Sequence, residues 1–303
     1  KLRAYRIEDL DRILADVKTD VKMQVVRNDE GSPSSGSSAV AAMVGLGLGM
    51  VLYMFLMIYG AMVMQSVIEE KSSRVLEVVV SSVRPFELMM GKIFGVASVA
   101  VVQVLIWAVL VCGAGAAVMP HVLPDGAMEA AAALQQGGGA ATAAAGDFDP
   151  ETLGAIALAT DVGYLAMLFG YLLLFVVGGY LLYSAMFAAV GSAVDNAQDA
   201  AQLQTPIMIP IILAVIVEMS VLNDPNSPLA FWFSLIPFTS PVVMMARIPY
   251  GIPTWEIVLS LVLLYAAFVG MVWLSAKIYR VGIFMYGKKP TLREMFRWIR
   301  YKY

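Results

Sequence analysis

Charge is what this sequence of 303 residues has least of: only 14% are Asp, Glu, Lys or Arg, where a soluble globular domain carries about 25%. Histidine and cysteine are nearly missing as well, with one of each. A lone cysteine, Cys112, closes no internal disulfide and builds no metal cluster. A lone histidine, His121 beside Pro120, rules out the zinc motif H-E-x-x-H. A net charge of −3 argues against nucleic acid as a partner. Residues 120–160 contain no Lys or Arg at all. Finally, the chain opens on Lys1-Leu2-Arg3 with no Met and no signal peptide. The expectation is a piece whose natural N-terminus lies upstream.

What is present is apolar: 60% of the residues are hydrophobic, and runs of 18 or more recur, each long enough to cross a bilayer as a helix. The reading is an all-α polytopic membrane protein. About five spans are expected, near 39–64, 93–119, 162–190, 205–222 and 257–278. The first contains Gly45 and Gly49, a G-x-x-x-G pair that either lets two helix backbones approach closely or reflects the ordinary glycine content of membrane helices. Gly178-Gly179 interrupts the third.

The segments between spans differ in kind. Residues 1–38 are polar, with a short amphipathic helix expected from Arg6 to Lys22, an alternating stretch at Val21–Val26, and a Gly/Ser-rich linker at 31–38. They look like the tail of a soluble domain. Residues 120–160 read as a loose loop with a short surface helix at Ala127–Leu134. Residues 223–254 contain Pro225, Pro228, Pro237, Pro241, Pro249 and Pro253 among Phe231, Trp232, Phe233 and Tyr250. That is too apolar for a plain loop and too broken for a span. Short helices dipping into the interface fit.

Between the first two spans lies a charged island, 65–92, holding Glu69, Glu70, Lys71, Ser72, Ser73, Arg74 and Glu77. Glu70 and Arg74 have the favourable four-residue spacing of a helix, and Pro85 suits the first turn of another. Two short helices with a turn near Ser81–Arg84 are expected, or else a solvated loop. Seven Lys and Arg lie in the tail 279–303 and four between Lys71 and Lys92, against seven in residues 1–38 and Arg247 on the other side. The positive-inside rule discounts a domain that is translocated, so the island and the C-terminal tail are read as cytoplasmic.

Two carboxylates at the spans are candidates for an ion or substrate path, Glu218 near the end of the fourth and Asp161 at the start of the third, because burying such a charge is costly. A third feature is a decoy. Gly282 to Lys288 matches the opening of a phosphate-binding loop, but Lys289 replaces the Ser or Thr that would hold Mg²⁺, and Pro290 replaces the start of a helix. ATP hydrolysis by this chain is not expected.

Three stretches resemble the permease subunits of ABC type-2 transporters, nearest to the sodium-efflux (NatB-like) branch. They are Gln65–Gly95, with Ile-Glu-Glu-Lys-Ser-Ser-Arg-Val-Leu-Glu; Gly191–Pro210; and Ile236–Tyr301, with Pro-Phe-Thr-Ser-Pro and Arg247-Ile-Pro-Tyr-Gly-Ile-Pro. The resemblance implies a permease of six spans in full, with re-entrant extracytoplasmic helices before the last span. This chain would lack the first span and most of a large extracytoplasmic domain. It implies docking on a separate ATP-binding subunit, which carries the ATP and Mg²⁺, through Glu69, Glu70, Lys71, Ser72, Ser73, Arg74 and Glu77. It also implies a second permease chain, the same or related, in the inner membrane of a bacterium. Substrates linked with such permeases include Na⁺, drugs and lipids. The rival class is a stand-alone secondary transporter or channel using Glu218 and Asp161; a weaker third is a structural subunit without a path of its own.

Overall fold

The computed structural model describes residues 38–73, 84–123, 126–135, 150–285, 287 and 291–298. The readings made of residues 1–37 and of Arg74 and Glu77 lie outside them. All regular structure among the described residues is helical: α1 (Ser38–Ser72), α2 (Pro85–Val122), α3 (Ala127–Gln135), α4 (Pro150–Thr160), α5 (Val162–Ala193), α6 (Ala197–Val221), α7 (Pro228–Leu235), α8 (Ser240–Arg247), a 3₁₀ turn at Ile248–Tyr250, α9 (Thr254–Gly282) and α10 (Leu292–Trp298). Five of these, α1, α2, α5, α6 and α9, are long and apolar enough to cross a membrane. Their outward faces are studded with exposed Val, Leu and Ile, as at Val99, Val102, Ile106, Val109 and Leu110 of α2. So much exposed apolar surface belongs in lipid.

The helices run well past the apolar stretches that announce them. α1 continues through the polar residues to Ser72, so the first half of the island is its last two turns and not a separate surface helix. Pro85 opens α2 at N1, where its missing N–H costs nothing, and the Glu87 carboxylate accepts from the Arg84 N–H at 3.4 Å. Gly178-Gly179 does not interrupt α5, which is helical on both sides and buried there. α6 keeps Pro206 and Pro210 inside it. The loop expected at 120–160 contains a second helix, α4, which packs on α3 through Ala127, Ala131 and Ile156.

α5 is the centre of the bundle. α1 and α9 pack along it, α2 and α6 less extensively. Rings fill the layer between them: Phe55 lies 4.9 Å from Tyr59, and Tyr59 meets Tyr180 edge-on at 6.5 Å. The hydroxyl of Tyr180 donates to the Ile93 carbonyl of α2 at 2.8 Å, and Tyr183 donates to the Phe238 carbonyl at 2.5 Å. A buried tyrosine needs such a partner. These two bonds tie α5 to α2 and to the segment leading into α8.

The G-x-x-x-G pair is a true close approach. A Cβ on Gly45 would overlap the carbonyl of Ala246 in α8, and one on Gly49 would overlap the carboxyl of Glu218 in α6. Gly45→Ala should therefore destabilise the bundle by about 1–3 kcal/mol, since a backbone carbonyl has nowhere to go. Gly49→Ala should cost less, because a side-chain end can swing aside. Thermal unfolding of the two variants in detergent checks the order; a Gly45→Ala protein as stable as the parent contradicts it.

Candidate functional site

One end of the bundle gathers the C-termini of α1, α5 and α9 with the N-termini of α2 and α6. Helix C-termini leave carbonyls without internal partners, and here a single ammonium collects them. Lys71, fully buried, donates to the Ser192 carbonyl of α5 at 2.8 Å and to the Gly282 carbonyl of α9 at 2.9 Å. It also pairs with the Asp195 carboxylate at 3.1 Å. Two carbonyls and a carboxylate oxygen thus surround the ammonium. The other oxygen of Asp195 accepts from the Gly287 N–H at 2.6 Å, so the chain leaving α9 is held at the same point.

A second pair fastens α1 to α2. Lys92 reaches Glu70 at 2.6 Å and donates to the carbonyl and hydroxyl of Ser66 at 3.0 and 3.2 Å. Glu70 is thus engaged across the helix pair. Glu69, Ser72 and Ser73 remain exposed, the hydroxyls of Ser72 and Ser73 turned back onto the carbonyls of Glu69 and Glu70. Of the seven residues expected to dock, the structure therefore places three on the surface, one half-exposed in a pair, and one, Lys71, inside. Lys71 cannot meet a partner from there. It ties the exposed last turn of α1 to α5 and α9, so a displacement of that turn reaches three other spans through Lys71 and Lys92.

The opposite end is held by Arg247 at the end of α8. Its guanidinium, 1% exposed, donates from Nε to the Pro225 carbonyl at 2.8 Å and from one terminal nitrogen to the Ser234 hydroxyl at 2.6 Å. The other terminal nitrogen pairs with Glu256 at 2.9 Å. The carbonyl of Ser234 accepts from Ser260 of α9 at 2.7 Å. A planar donor fork suits such a divergent set of acceptors. Through it α7, α8 and the start of α9 form one unit, with Gly251 closing the 3₁₀ turn at φ +72°.

Glu218 and Asp161 also lie towards this end, and they differ. Asp161 is the N-cap of α5, its carboxylate accepting from the Tyr164 N–H at 3.1 Å, which is sufficient reason for a carboxylate there. Glu218 is fully buried and neither carboxyl oxygen has a hydrogen-bond partner among the described residues. The two are not joined in one site by any described contact. Arg247, Asp195, Ser192 and Lys92 carry the polar architecture, and the sequence does not single them out for it. Lys71 does give a signal: it falls on the same helical stripe as the buried Val67.

Two curated relatives each match more than four fifths of this chain. The Bacillus subtilis protein YhaP, described as uncharacterized, is 27% identical over 246 residues, 81% of this chain and 52% of its own length. The Methanocaldococcus jannaschii protein MJ1024, likewise uncharacterized, is 27% identical over 260 residues, 85% of this chain and 54% of its own. The chain spans about half the length of these relatives. No solved structure matches it. The family described as ABC-2 family transporter protein matches residues 10–277. With its five span-length helices, the chain belongs to that family.

Proposed function

We propose that this chain is the permease part of an ATP-driven exporter that docks on a separate ABC ATP-binding subunit through 65–92. One observation carries the reading: the exposed turn of α1 at Glu69, Ser72 and Ser73 is anchored by Lys71 and Lys92 to α2, α5 and α9. A lever of this kind serves an aqueous partner that pushes. ATP and Mg²⁺ sit on that partner; its closure moves the turn, and the spans shift to open a path outward. The Lys71 end and the C-terminal tail face the cytoplasm of a bacterial cell, as the surplus of Lys and Arg supports. The unit α7–α8 then lies on the exit side. A second permease chain, the same or related, completes the pathway. Na⁺, following the sodium-efflux branch, is the first substrate to test, then drug-like and lipid-like molecules.

The docking surface is tested best at Glu69. Reversing Glu70 would set two cations together at Lys92 and disturb α1–α2, confounding the result. Glu69→Lys changes an exposed side chain that forms no ion pair with either anchor among the described residues and acts on the Lys92 charge only at a distance. It should reduce co-purification of the ATP-binding subunit about tenfold, the equivalent of about 1.4 kcal/mol, with unchanged membrane insertion and melting temperature. Full co-purification would remove Glu69 from the interface. The rival reading, a transporter or channel working alone, rests on the unpartnered carboxyl of Glu218, since ionisable groups inside membranes mark ion pathways by default.

A further inference from the structure

We propose that a cleft at the Lys71 end of the bundle, between the first turn of α2 and the end of α9, holds the headgroup of an anionic phospholipid. It has a volume of about 550 Å³ and is lined by Arg84, Pro85, Phe86, Glu87, Arg280 and Phe284. The guanidiniums of Arg84 and Arg280 are exposed and form no ion pair among the described residues, while Glu87 is turned to the Arg84 N–H at the start of α2. Two exposed guanidiniums lining one cleft suit a phosphate, which each can meet with paired N–H donors.

The aromatic residues identify the phosphate as that of an amphiphile. Phe86 is 45% and Phe284 58% exposed, so each arginine stands beside an uncovered ring. On α9 the spacing Trp273, Lys277, Arg280 follows one helical stripe, and Phe284 lies two residues past its end. Trp273 is 60% exposed and the Lys277 ammonium sits 3.9 Å from the centre of its ring. Tryptophan and basic side chains in this order mark the boundary between hydrocarbon and headgroups, and basic clefts between spanning helices are where anionic headgroups lodge. A free phosphate would use the arginines and leave the rings idle. A lipid of the surrounding bilayer uses both, its acyl chains lying along the apolar outer face of α2 and α9. The site does not depend on what the protein transports.

The test uses the chain in its full natural length, in nanodiscs of phosphatidylcholine with or without phosphatidylglycerol, released into a mass spectrometer to count retained lipids. The expected result is one phosphatidylglycerol per chain retained over phosphatidylcholine. Arg84→Gln with Arg280→Gln should lower that retention at least tenfold at an unchanged melting temperature, and Arg293→Gln, an exposed tail arginine, should not. Phe86→Ser with Phe284→Ser should weaken it too. Equal retention of the two lipids by the parent chain overturns the proposal, as does phosphatidylglycerol retained by the double arginine variant. Displacement of the lipid by millimolar inorganic phosphate would make this a free-anion site, which also overturns it. So does loss of the ATP-binding subunit from the arginine variant with lipid retention intact, since the cleft would then be a protein contact.

Discussion

Arg247→Leu is expected to destabilise the protein by about 3–5 kcal/mol, the loss typical of removing one partner from a buried ion pair. Three acceptors are abandoned at once: the Pro225 carbonyl, the Ser234 hydroxyl and the Glu256 carboxylate. The last matters most, because Glu256 is only about 10% exposed on its side chain and would be left buried without its partner. The pair also supplies its own control. Arg247→Leu with Glu256→Leu removes both charges and should recover most of the loss, as apolar replacements of buried pairs commonly do. Arg247→Lys should not restore the parent's stability, since one ammonium cannot stand in for the separate Nε and two terminal nitrogens that each meet a different group here. Thermal or denaturant unfolding of the three variants in detergent reads this directly. An Arg247→Leu protein within about 1 kcal/mol of the parent, far below the loss expected of a broken buried pair, would show that the α7–α8 unit is held by packing alone.

Lys71→Met is the second large effect, about 3 kcal/mol on the same grounds, tempered because Asp195, 31% exposed, can turn to water. The methionine fills the space of the aliphatic stem but leaves the Ser192 and Gly282 carbonyls without their donor. Stability is the lesser part of the expectation. If Lys71 links the exposed turn of α1 to α5 and α9, the variant should still bind the ATP-binding subunit while ATP no longer drives transport. Asp195→Asn should act in the same direction, more weakly, because the amide oxygen can still accept from Lys71. A Lys71→Met protein that unfolds readily yet couples normally would reduce the ammonium to a structural pin.

The spans are legible in the sequence because an apolar run of that length is at home in hydrocarbon and nearly nowhere else. Their ends are not. Residues 65–72 and 197–204 are too polar to read as membrane, yet they continue α1 and begin α6, since a helix ends where capping ends it and not where hydropathy falls. Some of those caps are readable. Asp161 stands immediately before an apolar run, the usual place of an N-cap, and needs no ionic role. Pro150 opens α4 as prolines open helices, inside what reads as loose loop.

The candidate site is legible only in part. Glu69 and Ser72 are where an exposed island puts them, but Lys71 differs from them by one or two positions on a helix and faces the opposite way. Its place on the stripe of Val67 is the clue, and its charge the distraction. The Arg247 unit offers no clue at all, because Pro225, Ser234 and Glu256 are distant in sequence and are brought together only by the folding of a proline-broken segment. Gly45 and Gly49 sit between these cases. Their spacing announces an approach but cannot name Ala246 and Glu218 as what approaches.

The central claim is that this chain moves its substrate with another subunit's ATP. It is tested by purifying the protein at its full natural length from its own membranes, then reconstituting it in liposomes with an inward Na⁺ load and candidate drugs. The expected result is that an ATP-binding-cassette subunit arrives with it, that the complex hydrolyses ATP, and that transport stops when ATP is withheld. A chain that purifies alone and transports without ATP would contradict the claim and leave Glu218 as the place to begin again.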